Sequence, residues 1–238
     1  MEDALSMTKD LEAILFDLDG TLLTIEKRFY NVFNDVLEGF GRRKIARRNF
    51  LRSFHNNQLY YLPFGPAQTK RPETRRFWDT FLRRYGRKPY TEYSAPIRGA
   101  REVIKRIRKC DIRVAVVTGR ICSPFSVRQE LKEIGIDKCV DAIVTKAMIF
   151  RPGNSYHATS REAEIRKALR RLEACARRSA FVADYVEDIR SAKPLGVTTI
   201  AVLSGSSSLH LLRKESPDHI IESVRDLPAL LKREFGQG

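Results

Sequence analysis

Two aspartates, Asp17 and Asp19, close a short apolar run at residues 13–16 and are followed at once by Gly20 and Thr21. In a strand, side chains two apart face the same way, so the two carboxylates converge. Carboxylates this close repel, and one of them holds a proton more tightly unless a cation sits between them. Gly20 lets the backbone turn sharply, and Thr21 adds a hydroxyl. A bare acidic turn at a strand end would use the same residues without any chemistry. A second such place is Val116-Val117-Thr118-Gly119-Arg120. There a hydroxyl and a glycine N–H open the next helical region, forming a small anion-binding corner. The third is Phe181-Val182-Ala183-Asp184, with Asp188 four residues further on in the helix that follows. Carboxylates from two strand ends meeting at one edge suit a hard, oxygen-seeking cation. Asp188 also fits the plainer role of an acid at the positive end of its own helix.

These groups meet only if the strands that carry them lie side by side. Short apolar runs at 13–16, 112–117, 140–144, 180–183 and 197–202, with a weaker sixth at 219–221, read as strands buried on both faces. Amphipathic stretches at 100–109, 125–134, 161–175, 187–195 and 224–234 separate or follow them, with apolar spacings such as Ile165, Leu169 and Leu172. Alternation of this kind predicts a parallel sheet wrapped by helices, with its site at the carboxyl ends of the strands. Residues 24–96 break the rhythm. They hold no run that reads as a buried strand, only helix-like segments and a loop around Pro63, Gly65 and Pro66. Residues 1–23 and 97–238 are therefore expected to form the core, and 24–96 an inserted helical domain.

Composition narrows the class. The chain has 238 residues, 42% hydrophobic and 31% charged, which excludes collagen-like, low-complexity and wholly disordered proteins. Forty-four Lys and Arg against 29 Asp and Glu leave a net charge of +15, so anionic partners are expected. Residues 24–96 carry sixteen basic and six acidic side chains, a net +10. In that segment Arg42, Arg43, Lys44, Arg75 and Arg76 alternate with aromatics such as Phe50, Phe54, Phe77 and Trp78. Basic residues among aromatics can bind nucleic acid. The plainer reading makes the aromatics the insertion's own core and the arginines its solvated faces. Cys110, Cys122, Cys139 and Cys175 show no metal-ligand spacing and read as thiols in a reducing compartment. The four histidines show none either. Residues 1–10 lack the apolar segment of a signal peptide, and no apolar run approaches the ~18 residues of a membrane span. A soluble, cytoplasmic protein is expected.

In this order, the three motifs resemble those of the haloacid dehalogenase superfamily of phosphohydrolases, over most of the chain outside 24–96. The insertion is similar to the helical cap of the phosphoglycolate phosphatase-like branch. The resemblance implies a Rossmann-like, three-layer α/β/α core with a parallel sheet, plus a smaller α-helical cap domain inserted after the first strand. It implies that Asp17 is the nucleophile, forming an aspartyl-phosphate. Asp19 would protonate the leaving oxygen and then deprotonate the hydrolytic water. Mg²⁺ would be held by the Asp17 carboxylate, the Asp19 backbone carbonyl and Asp184, with Asp188 supporting that shell. Thr118 and the Gly119 N–H would bind phosphoryl oxygens. Dehalogenases displace halide, need no proton and lack the second aspartate, so Asp19 favours phosphoryl chemistry. The family's third motif, a lysine often followed by proline, has no clean match. Lys146, after the third strand, is the first candidate for catalysis and phosphate binding, and Arg151, preceding Pro152, is the second. The expected activity is a Mg²⁺-dependent phosphatase acting on a small phosphorylated substrate, with phosphoglycolate and sugar phosphates among the candidates. Its basic cap would exclude water and supply cationic contacts. The alternatives are a phosphomutase similar to β-phosphoglucomutase and a nucleic-acid-binding or nucleic-acid-processing protein.

Overall fold

The first apolar run, Ala13–Phe16, is strand β1 of the computed structural model, which describes residues 11–68, 72–87, 90–149 and 160–236. Residues 24–96 then contribute three α-helices among the described residues: α1 (Glu26–Gly39), α2 (Arg47–His55) and α3 (Pro72–Tyr85). Helix α4 (Ala100–Arg108) leads into β2 (Arg113–Thr118), α5 (Pro124–Glu133) and β3 (Ala142–Thr145). Next come α6 (Glu162–Leu172), β4 (Ser179–Ala183), α7 (Val186–Ala192) and β5 (Thr198–Val202). Helix α8 (Leu209–Lys214), β6 (His219–Ile221) and α9 (Leu227–Phe235) complete the described chain.

The six strands form one parallel sheet in the order β3-β2-β1-β4-β5-β6. This is the Rossmann-like α/β arrangement. The strand order reverses at β1, which opens a crevice at the carboxyl ends of β1 and its neighbours. Strand residues alternate between two cores. Ile14, Phe16, Val114 and Val116 pack toward Val103, Val127 and Leu131 of one helical layer. Ala13, Leu15, Val117 and Phe181 pack toward Ile165, Leu169 and Ile189 of the other. Burial on both faces explains why the strands are continuous apolar runs rather than alternating ones. Each fully buried aliphatic or aromatic side chain contributes about 1.5–3 kcal/mol relative to exposure.

The insertion leaves and rejoins the core at one point. Leu23 lies opposite Pro96 in an antiparallel bridge, the Thr24 N–H donates to Ala95 O at 2.7 Å, and the Ile97 N–H donates to Leu22 O at 2.9 Å. Between these crossings α1, α2 and α3 build a third apolar cluster around Phe33, Phe50, Phe54, Phe77 and Phe81. Phe33 meets Phe50 edge-on at 5.4 Å and Phe77 at 5.2 Å. These aromatics are core, while Arg42, Arg43, Lys44, Arg75 and Arg76 are exposed.

Several bounds differ from the sequence pattern. The helix expected over 161–175 starts after Arg161 and stops at Leu172, where Glu173 adopts a left-handed conformation (φ 51°). Helix α7 gives way at Ala192 to a single tight turn through Pro194, whose missing N–H cannot continue the helix. Helix α8 was not expected. It is two turns long and buries only Leu212, too little apolar periodicity to register. All four cysteines are free. Among the described residues, no helix is long and apolar enough to cross a membrane.

Candidate active site

Parallel pairing brings the three motifs to one rim. Phe16 is in register with Val182, and the Asp17 N–H continues that ladder by donating to Val182 O at 2.9 Å. Asp184 follows β4 directly, and Thr118 is the last residue of β2 on the other side of β1. The loop after Asp17 is a tight turn, with Gly20 N–H donating to Leu23 O at 2.7 Å and Leu22 N–H to Leu18 O at 3.0 Å. Gly20 sits at φ +88°, and a Cβ there would lie 2.5 Å from Asp184 Oδ2. Only glycine permits both the turn and the approach of Asp184. Asp184 Oδ2 also accepts the Ser206 N–H at 2.6 Å and the Ser206 hydroxyl at 2.9 Å.

Asp17, Asp184 and Asp188 are all buried. Burial first, then the neighbouring charges of Asp188 and Asp184, raises the Asp17 pKa well above the usual carboxylate range, with Arg161 opposing. Burial pushes Asp184 up to about 7 against the Ser206 hydrogen bonds, and it raises Asp188 as well. The cation facing this cluster is Arg161, itself buried, with Nη1 3.2 Å from Asp188 Oδ1 and Nη2 3.8 Å from Asp17 Oδ1. Its backbone N–H donates to Ser191 Oγ of α7 at 2.9 Å, which fixes the residue where α6 begins. A Cβ at residue 119 would come 2.9 Å from Arg161 Nη1, so Gly119 and this guanidinium share one corner with Thr118.

Asp19 has a different environment. Arg120 grips it through two hydrogen bonds of 2.6 Å each and gives its remaining edge to Glu130 of α5 at 2.6 Å. Burial would raise the Asp19 pKa, but the Arg120 charge and hydrogen bonds outweigh it and hold the carboxyl below its usual range. Glu130 also meets Arg28 of α1 at 3.2 Å, and Arg28 donates through Nε to Tyr85 O at 2.9 Å and through Nη2 to the same carbonyl. A buried chain of charges thus runs from Asp19 into the insertion.

The structure gathers Asp17, Asp19, Thr118, Gly119, Asp184 and Asp188 around one cavity. Lys146 stands in the turn after β3, half-buried, and burial holds its pKa below normal despite Glu164. No carboxylate lies within ion-pair distance of it among the described residues. Arg151 lies outside the described residues. The sequence reading passed over Arg161, Arg120, Glu130 and Arg28. One signal did exist for Arg161: it stands at the N-cap of a helix, where a positive charge opposes the dipole and needs another reason to be there.

A divalent cation fits this donor set. The converging side chains offer oxygen only, their negative charge exceeds what Arg161 balances, and Asp188 Oδ1 is buried with no hydrogen-bond partner. Among the described residues, no three acidic, His or Cys side chains form a complete cage. Magnesium needs none, since one or two carboxylates with water and substrate oxygens suffice.

The cavity measures about 310 Å³. The sheet supplies its polar floor, and the insertion supplies a wall that includes Phe29, Phe54, Leu59, Trp78, Phe81 and Leu82. None of the insertion's basic clusters lines it among the described residues. At its edge the Tyr185 hydroxyl donates to Asn57 Oδ1 at 3.0 Å, and His55 Nδ1 lies 3.3 Å from Ser206 O.

Comparison with known proteins agrees with the fold. A family profile described as haloacid dehalogenase-like hydrolase matches residues 14–202. A protein of Caldanaerobacter subterraneus subsp. tengcongensis, provisionally named pyrophosphatase PpaX, is 27% identical over 225 residues, covering 93% of this chain and 95% of its own length. Pyrophosphatase PpaX of Listeria welshimeri is 24% identical over 230 residues, 96% of this chain and 100% of that one. Among solved structures, a predicted phosphatase from Clostridium acetobutylicum superposes with a TM-score of 0.72 at 18% identity, over 94% of this chain and 97% of that one. A predicted phosphoglycolate phosphatase from Haemophilus somnus gives 0.70 at 19% identity, over 93% and 98%.

Proposed function

This chain belongs to the haloacid dehalogenase-like hydrolase family, and we propose that it hydrolyses small phosphate monoesters through a covalent phosphoryl-enzyme on Asp17. The observation that carries this reading is the meeting of Asp17, Asp184 and Asp188 around Arg161 at the carboxyl rim of β1 and β4. Asp17, the Asp19 backbone carbonyl and Asp184 would hold Mg²⁺, with Asp188 behind them. When bound, the ion neutralises charge between the nucleophile and an anionic phosphoryl group.

The chain's own residues do the rest. Thr118 Oγ1, the Gly119 N–H and Arg161 bind phosphoryl oxygens and aim phosphorus at Asp17. Two buried guanidinium nitrogens of Arg161, Nε and Nη2, make no hydrogen bond and only face Glu164 Oε1 and Asp17 Oδ1 at 3.8 Å each, so they have hydrogen-bonding capacity for a phosphoryl oxygen. Lys146 contributes its charge from further off. The bond from phosphorus to the leaving oxygen breaks as the bond to Asp17 forms, and Asp19 delivers a proton to that oxygen. Asp19 then takes a proton from water, which attacks phosphorus, releasing inorganic phosphate and restoring Asp17. The ionised Asp19 gripped by Arg120 is the form that the second step requires. The first step requires Asp19 to carry a proton, taken up from solvent before the step or kept from the water of the previous turnover, as it loosens one of its two bonds to Arg120.

Names among the relatives point to phosphoglycolate as a candidate within this class, and to pyrophosphate, a phosphoanhydride, beside it. The deciding experiment is phosphate release from 4-nitrophenyl phosphate. Turnover should need Mg²⁺, disappear with EDTA, return on adding the ion back, and be absent in a folded Asp17→Asn protein. Full activity in that variant would overturn the assignment of Asp17.

A further inference from the structure

The leaving-group end of the cavity differs from what a second anion would need. Two cations line the cavity among the described residues, Arg120 and Arg161. Arg120 spends its guanidinium on Asp19 and Glu130, and Arg161 stands at the phosphoryl end beside Asp17. The opposite wall is mainly apolar, with Phe29, Phe54, Leu59, Trp78, Phe81 and Leu82 joined by Tyr60 and Tyr85. The Tyr85 hydroxyl is buried without a hydrogen-bond partner, and Asn57 and the Tyr185 hydroxyl are paired to each other at the edge. The insertion's arginine clusters face solvent. A carboxylate or second phosphate set against that wall would lose its water and gain no cation. A polyhydroxyl group would find the Tyr85 hydroxyl for one of its hydroxyls and strand most of the others. The cavity, at about 310 Å³, is at the small end for ligand sites.

From this wall we infer that the preferred substrate is the phosphate monoester of an uncharged, flat, predominantly apolar alcohol, one the size of a single aromatic ring. The inference rests on the phosphatase reading above, since it takes the polar floor as the phosphoryl end. The ring would lie against Trp78 and Phe54, gaining burial and edge or stacked contacts. Its alcohol oxygen would face Asp19.

Benzyl phosphate is the probe for turnover, because its leaving group is an ordinary alkoxide and a high rate cannot come from an activated ester. With Mg²⁺ present, its kcat/KM should exceed those of 2-phosphoglycolate, inorganic pyrophosphate and glucose 6-phosphate by about ten-fold or more. Binding can be read apart from chemistry, because Trp78 is the only tryptophan of the chain and forms part of the wall. Benzylphosphonate should change its fluorescence and bind about ten-fold tighter than phosphonoacetate or methylenediphosphonate. Leu82→Lys, at a half-buried wall position, should shift preference toward 2-phosphoglycolate in both assays. Equal or better binding and turnover of any charged or polyhydroxyl comparator by the wild-type protein would overturn the inference and leave the phosphatase reading intact. Tight benzylphosphonate binding with no hydrolysis of any ester would overturn the phosphatase reading and, with it, the claim about the preferred substrate. No binding and no turnover would remove both.

Discussion

Arg161 opposes four buried carboxylates, Asp17, Glu164, Asp184 and Asp188, and its removal leaves Asp17 and Asp188 without their cation. Arg161→Ala should lower kcat/KM by about 10²–10³, the usual loss for one preorganised donor to a developing oxyanion. Arg161→Lys should recover part of that loss, since a lysine supplies the charge without the fork. Lys146→Ala should cost about ten-fold or less, because among the described residues its ammonium forms no ion pair with Asp17 and does not line the cavity. Phosphate release measured on the three variants, each checked for folding by circular dichroism, orders them. Equal losses for Arg161→Ala and Lys146→Ala would return the third-motif cation to Lys146. Gly20→Ala is the test of the loop. A Cβ at φ +88° costs about 1–2 kcal/mol in backbone alone, and here it would also displace Asp184. That variant should lose activity by far more than its stability change explains. Asp17, Asp19, Thr118 and Asp184 were legible in the sequence because strand ends followed by Asp or Thr and then a turn announce themselves. Arg161 was not, because one arginine among many looks alike until the fold buries it.

Helices α1, α3 and α5 are joined by charge rather than by apolar packing alone. Arg28 is completely buried, stacks its guanidinium 4.5 Å from the Tyr85 ring, and spans the insertion's Tyr85 carbonyl and the core's Glu130. Removing one member of such a network leaves its partner's charge buried and unpaired, at a cost of about 3–5 kcal/mol. Arg28→Met should therefore lower the free energy of denaturant unfolding by about that much, and Arg28→Met with Glu130→Gln should cost less than the sum of the two single changes. Strict additivity would show that the pair is not coupled. The strands were readable because burial on both faces leaves a continuous apolar run, and the sheet's parallel character followed from the helices between them. The network was not readable. Arg28 and Glu130 are 102 residues apart, and only the folding of the insertion against α5 brings them together.

For the molecule as a whole, acidic side chains crowd at the rim while basic clusters lie on the exposed surface. The insertion holds +10 of the net +15, yet its basic clusters at 42–44 and 75–76 face solvent, and it turns a largely apolar wall to the cavity. The crowded carboxylates predict that Mg²⁺ stabilises the folded protein. At a concentration one hundred times its dissociation constant the gain is about 2.7 kcal/mol, visible as a rise in Tm that EDTA reverses. Asp184→Ala should abolish that rise, and an unchanged Mg²⁺ response in this variant would remove Asp184 from the ligand set. The side-by-side crossings at Leu23 and Pro96 carry their own consequence. Facing residues of an antiparallel bridge stand only about 4.5–5.5 Å apart, a gap that a hairpin turn of two residues closes. A lineage can thus lose this entire lobe, or splice in one of another size, while every hydrogen bond of the sheet beneath stays where it is, so selection can replace the fit to a ligand separately from the machinery that cleaves it.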